Sequence, residues 1–273
     1  MSTVKDTDYV LGTHDAEIGR LRLQHGIWHD LVHDCWRRAG LATGQRVIDI
    51  GCGPGFASVD LARMVGPGGT VAGIERSSRF IDYAQTLCRT EGLDNVSFQL
   101  ADVMLDAING DGYDAVWCRW LAIFVPDPGL LVRKMAAALK PGGKLIFHEY
   151  LHYETYQSVP PSRPLESFVQ EVMLSWRESG GEPNVARYLP GHLTDAGCRI
   201  LETRPISFSA QRHEPAWQWP TSFIDINLQR LLELGRIDQG MVDAVKADVR
   251  ALEANPNALL ITPMVLEIIA EKT

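Results

Sequence analysis

The chain has 273 residues, 45% hydrophobic and 22% charged, the balance of a soluble globular protein long enough to bury a sizeable core. No apolar run approaches the roughly 20 residues that span a bilayer, and the polar stretch MSTVKDTDYVLGTHDAE has no apolar region of a secretory signal. A formal charge of −8 argues against a nucleic-acid partner, whose phosphates call for clustered Lys and Arg. Cys35, Cys52, Cys88, Cys118 and Cys198 form no C-x-x-C pair and read as reduced thiols in a cytoplasm.

The segment DAEIGRLRLQHGIWHDLVHDCWRRAG reads as a helix ending at Gly40. Next come five short runs of strand composition: RVIDI (46–50), TVAGIE (70–75), VSFQLA (96–101), YDAVWC (113–118) and GKLIFHEY (143–150). Helical patterns lie between them at about 56–65, 77–91 and 128–139, and strands alternating with helices imply a parallel sheet. LKPGGK (139–144) reads as the turn into the fifth strand. Beyond Tyr150 the rhythm breaks. A first excursion, 151–190, carries one helix near 163–179, and CRILETRPISF supplies a sixth strand. A second excursion, 209–256, carries two helices. NALLITPMVLEIIAEK closes the chain as a seventh, antiparallel strand in which Pro263 demands an edge or a bulge. The expected architecture is α/β: one domain with a Rossmann-like, seven-stranded, mostly parallel sheet and helices on both faces. Residues 1–40 form a helical lid, 41–150 the core, and 151–190 and 209–256 cover a site at the carboxyl edge of the sheet.

The stretch VIDIGCGPGF places Gly51, Gly53 and Gly55 at the end of the first strand, where open parallel sheets take their ligands. The spacing is G-x-G-x-G rather than the G-x-G-x-x-G of dinucleotide binders. Asp49 sits two residues before the loop, where a carboxylate would repel a pyrophosphate and welcome a sulfonium or ammonium. Glu75 ends the second strand, 24 residues after Gly51, and suits the two hydroxyls of a ribose. Asp102 ends the third strand and suits an adenine amino group. The plainer reading is that each acid caps the helix that follows.

VIDIGCGPG, VAGIE, LADV and LKPGGKLIF, in this order, resemble the successive motifs of class I S-adenosylmethionine-dependent methyltransferases. The resemblance implies a reversed last hairpin and S-adenosylmethionine beside the glycine loop. It assigns Asp49, Gly51 and Gly53 to the methionine end, Glu75 to the ribose, and Asp102 with Val103 to the adenine. Arg76 would border the adenine and Arg119 the methionine moiety. The pattern from Tyr9 to Gln24 is similar to the start of a small-molecule branch, broadly the ubiquinone/menaquinone-biosynthesis-like enzymes. That resemblance makes Tyr9 and Gln24 lid contacts; the rival reading of Leu21, Gln24, Trp28 and Leu31 is a plain packing face.

His25, His29 and His33 fall at i, i+4 and i+8 on one helix face. Two such histidines suit a metal, but a third lies too far along the axis and no H-E-x-x-H is present, so polar packing or a substrate-facing base is the reading and no metal is expected. His148, Glu149 and His152 follow the fifth strand. His148 and His152 are the candidate catalytic bases, with Glu149 orienting one of them. Phe168, Trp176, Trp217, Trp219 and Phe223 in the two excursions suit a flat or apolar acceptor, or simply core.

The expected function is methyl transfer to an O, N or C centre of a small organic acceptor, and a homodimer is compatible with it. The alternatives are a protein that binds the cofactor without methyl transfer, as a scaffold or non-redox cyclase, and a nicotinamide dehydrogenase, against which the glycine spacing and Asp49 count.

Overall fold

The structure, a computed structural model, describes residues 15–108 and 110–273. Tyr9 lies outside the described residues. Helix α1 (Asp15–Arg38) is followed by β1 (Arg46–Ile50), α2 (Phe56–Val65), β2 (Thr70–Glu75), α3 (Ser78–Thr90), β3 (Val96–Leu100), β4 (Tyr113–Arg119), α4 (Pro128–Ala138) and β5 (Leu139–His152). After β5 come β6 (Gln157–Val159), α5 (Arg163–Glu178), α6 (Leu189–Asp195), β7 (Cys198–Ile206), β8 (Ser209–Ala210), α7 (Pro215–Glu233), α8 (Gln239–Ala254), β9 (Leu259–Ile261) and β10 (Met264–Lys272).

The main sheet has seven strands in the order β3-β2-β1-β4-β5-β10-β7, parallel from β3 to β5 and antiparallel where β10 meets both neighbours. The strand order reverses between β1 and β4, so a crevice opens at their carboxyl ends. Val47, Ile48, Ile50, Val116, Trp117, Ile146 and Phe147 are buried, as expected of strands covered on both faces. Local chemistry sets the helix starts. Ser77, Asp127, Ser162 and Asp238 accept the N–H groups of Phe80, Leu130, Leu165 and Met241.

Two sequence expectations change. The turn at 139–144 is drawn into the start of β5. The closing strand is two: β9 joins a small second sheet, ordered β6-β9-β8, and β10 enters the main one, with Pro263 between them. The proline thus marks a change of sheet, where its missing N–H breaks no ladder.

Glu267 on β10 ties distant parts together. It accepts from Arg38 at the end of α1, from Arg204 Nη2 on β7 (3.2 Å) and from His148 Nε2 on β5 (2.9 Å). Burial pushes this carboxyl up, but the His148 hydrogen bond and the two guanidinium groups outweigh it and bring the pKa to about 2.

Candidate functional site

The carboxyl ends of β1 to β4 open into a cavity of about 310 Å³, roofed on one side by Leu21 and Gln24 of α1. Gly51 begins the loop with a φ of +70°, and a Cβ there would stand 2.9 Å from Leu121 Cδ2, so only glycine lets the backbone line the cavity at this point. Asp49 is fully buried below the loop and accepts from Ser58 Oγ at 2.6 Å. Burial raises its pKa to about 6, so a positive ligand would help to ionise it.

Glu75 pins the loop. Its Oε2 accepts from Gly53 N–H (3.1 Å), and its Oε1 accepts from Arg76 N–H (2.8 Å) and Ser77 N–H (2.9 Å). Burial pushes this carboxyl above its ordinary value against those three donors. Asp102 Oδ1 accepts from Met104 N–H at 2.8 Å, so it closes a local turn while still facing the cavity. Arg76 and Val103 line the same wall.

Arg119, the last residue of β4, faces the glycine loop across the crevice. Its Nη2 lies 3.0 Å from His25 Nδ1, and its guanidinium stands 4.9 Å over the Trp120 ring. Burial lowers its pKa to about 10, which leaves it charged at neutral pH. Its Nη1 is buried with no hydrogen-bond partner.

The sequence therefore gathers Gln24, Asp49, Gly51, Gly53, Glu75, Arg76, Asp102, Val103 and Arg119 onto one cavity. The two candidate bases lie elsewhere. His148 is fully enclosed, bonded to Glu267 and packed edge-on against Trp28 and Trp117, with rings 5.7 and 4.9 Å away. Burial lowers its pKa, so it sits as a neutral structural partner, and no acceptor reaches it. His152 is partly exposed, bonded through Nδ1 to Glu154 (3.0 Å), and lines neither pocket described here. Glu149 orients no histidine. Its Oε1 accepts the N–H groups of Leu121 (2.9 Å) and Ala122 (2.8 Å), fixing the turn after β4. Burial pushes its pKa up to about 8.

That turn carries what sequence reasoning missed. Trp120 has a φ of +51°, a left-handed backbone that costs a non-glycine residue about 1–3 kcal/mol. Its ring stacks on Tyr150 (5.9 Å) and Trp219 (5.7 Å). It lines both the large cavity and a second pocket of about 30 Å³. Gln24 and Phe124 are also shared; Tyr150, Tyr153, Tyr156, Trp176, Trp219 and Phe223 are the other aromatics of the second pocket, which Arg20 also lines. Of the five aromatics expected at the acceptor, Phe168 and Trp217 are core. The available signal was position: Trp120 follows the strand-end residue Arg119.

Residues 41–173 match a family described as a methyltransferase domain. The chain belongs to the class I S-adenosylmethionine-dependent methyltransferases. It is 30% identical to the methyltransferase GfsG of Streptomyces halstedii over 187 residues, 68% of this chain and 64% of that one. A ubiquinone biosynthesis O-methyltransferase of Coxiella burnetii is 36% identical over 104 residues, 38% of this chain and 43% of that one. The chain thus spans under two thirds of these curated relatives. Among solved structures, the fold resembles the [4+2]-cyclase SpnF (TM-score 0.57, 21% identity, 89% of this chain and 80% of that one). It also resembles geranyl diphosphate C-methyltransferase of Streptomyces coelicolor A3(2) (TM-score 0.60, 15% identity, 91% and 77%). The methyltransferase cofactor, S-adenosylmethionine, fits the residues present: the partnerless Arg119 Nη1 suits its carboxylate, Asp49 its positive end, and Glu75 a ribose.

Proposed function

We propose that this methyltransferase transfers a methyl group from S-adenosylmethionine to a small, largely apolar organic acceptor seated among the aromatics of the second pocket. The observation that supports this reading most is the shared wall. Gln24, Trp120 and Phe124 border both the acid-lined cavity and the aromatic pocket, so a donor in one would meet an acceptor in the other. The cofactor supplies an electrophilic methyl on sulfur. Asp49, Glu75, Asp102 and Arg119 would hold and orient it; the Trp120 turn, fixed by Glu149, stands between the two pockets.

Among the described residues, no histidine lines either pocket. The chain's contribution is therefore alignment and exclusion of water, and alignment alone supplies about 7–11 kcal/mol in favourable cases. Two buried polar groups at the acceptor pocket have no partner, Tyr156 Oη and Trp120 Nε1. Burial raises the Tyr156 phenol further above its usual value, so it stays a donor. A carbonyl or hydroxyl oxygen at the edge of an acceptor would accept from such a donor. The net charge of −8 supports a small-molecule partner over nucleic acid, and five free, buried cysteines support a cytoplasmic setting. No helix among the described residues is long and apolar enough to cross a membrane.

Calorimetry with S-adenosylmethionine, its demethylated product and NAD, followed by methyl-labelled cofactor with a panel of small aromatic and apolar acceptors, tests the reading. Binding of the first two and labelling of a small molecule are expected. Binding without any labelled product would favour the cyclase-like or scaffold alternative, since the fold is shared with a cyclase. Heat from NAD alone would overturn the assignment.

A further inference from the structure

Outside the cavity, α1 and α2 meet at a cluster of three histidines and one acid. Asp60 of α2 is buried, and its Oδ2 lies 2.8 Å from His25 Nε2, 3.3 Å from His33 Nε2 and 3.8 Å from His29 Nε2. Proton bookkeeping separates the three rings. The Arg119 guanidinium donates to His25 Nδ1, which makes Nε2 the protonated nitrogen and a sound donor to Asp60. His29 faces the opposite way: its Nδ1 lies 2.9 Å from the carboxylate of Asp30, so Nδ1 carries the proton and Nε2 turns a lone pair toward Asp60. His33 Nε2 is buried and makes no hydrogen bond, despite lying close to the same oxygen. A lone pair, a carboxylate oxygen and an unsatisfied imidazole nitrogen thus converge, all within 4.8 Å of one another. Among the described residues, Arg63 faces the other carboxylate oxygen, at 3.6 Å.

We infer that His29, His33 and Asp60 form a binding site for one divalent transition metal of the zinc or nickel type. Tetrahedral bonds of about 2.0–2.1 Å place ligand atoms roughly 3.3–3.4 Å apart, a spacing the His33–Asp60 and His29–Asp60 distances bracket. Two imidazoles and one carboxylate select such ions over calcium or magnesium, which take oxygen ligands. His29 is half-exposed, giving an entry path and a solvent-facing fourth position. Asp30, on the far nitrogen of His29, plays the orienting part that metal-bound histidines usually need. His25 stays with Arg119, which is why the third histidine of the series is not a ligand. The ion would strap α1, whose Leu21 and Gln24 roof the cavity, to α2, which the glycine loop opens. A second grouping, Cys35, His148 and Glu267, is fully enclosed and its acid is already satisfied by Arg38 and Arg204, so it offers an ion neither entry nor charge.

The test uses the full chain, chelator-treated and free of any histidine tag, titrated with zinc by calorimetry and with cobalt by visible absorption. One zinc per chain is expected, with cobalt bands that lack a thiolate contribution. His33→Gln and Asp60→Asn should each weaken binding more than about 100-fold, and Asp30→Asn about tenfold. Cys35→Ser should leave affinity unchanged. At about 100 times the dissociation constant, zinc should raise the melting temperature by several degrees in the wild type and not in a His29→Gln/His33→Gln double variant. Circular dichroism of the double variant confirms that it folds. Absence of saturable binding at about 100 µM zinc, binding that survives the double substitution, or binding lost in Cys35→Ser would each overturn the site.

Discussion

From Asp49 to Arg119 the residues that face the larger cavity sit at successive strand ends, whereas the aromatic pocket proposed for the acceptor gathers residues from Arg20 to Pro263. The first wall is made by backbone and short acids whose positions follow from strand length and a glycine turn. The second is made mostly by aromatic side chains on α5, α7, the β5 end and the segments after β4 and β5, with Arg20 and Gln24 of α1, brought together only by long-range packing. The difference teaches where each property can vary. Changing the cofactor wall disturbs the sheet that holds it, while the aromatic wall can be redrawn residue by residue.

Four experiments press on that contrast, the largest effect first. Glu75→Ala removes the loop anchor and the proposed ribose acceptor together, and should weaken S-adenosylmethionine and its product by about 3–4 kcal/mol, or roughly 100–1000-fold, in calorimetry. Lowering the pH from 7 to 5 should weaken the cofactor about tenfold, because Asp49 titrates near 6 and a positive ligand needs its ionised form. The sign for the empty protein is opposite. Its raised Asp49 stabilises the fold fully below about pH 4, and that contribution is lost as pH rises through 6, so the ligand-induced melting shift grows over the same span. Asp49→Asn should flatten both trends. Tyr156→Phe should lower kcat/KM about fivefold, near 1 kcal/mol for one hydrogen bond, with cofactor affinity unchanged. His152→Ala should change neither turnover nor binding by more than about twofold, since surface pairs contribute little. A large loss there would return the proton-transfer role to the end of β5.

The same contrast explains what the sequence revealed. The Asp49–Gly53 turn, Glu75 and Asp102 were legible because their chemistry is local to a strand end. His148 was placed correctly at a strand end but misread, because its partner Glu267 lies 119 residues downstream on a strand whose pairing no local pattern announces. Glu149 was read as an orienting acid, and it orients, but the object is the backbone after β4 rather than a side chain. Nothing in WCRWLAIF signals the left-handed turn at Trp120. The histidine series on α1 was legible as a face, yet the acid that gives it meaning belongs to another helix.

The order of the main sheet bears on how the molecule is made. β10 lies between β5 and β7, and its Glu267 receives Arg38 from the opening helix. During synthesis, therefore, the ribosome exposes six of the seven strands before the one that joins them. Until Lys272 has left the exit tunnel, β7 has no neighbour, β5 keeps an open edge, and the N-terminal helix lacks its latch. A chain in which β10 has not yet docked would present unpaired strand edges at β5 and β7, the kind of surface through which incompletely folded chains associate.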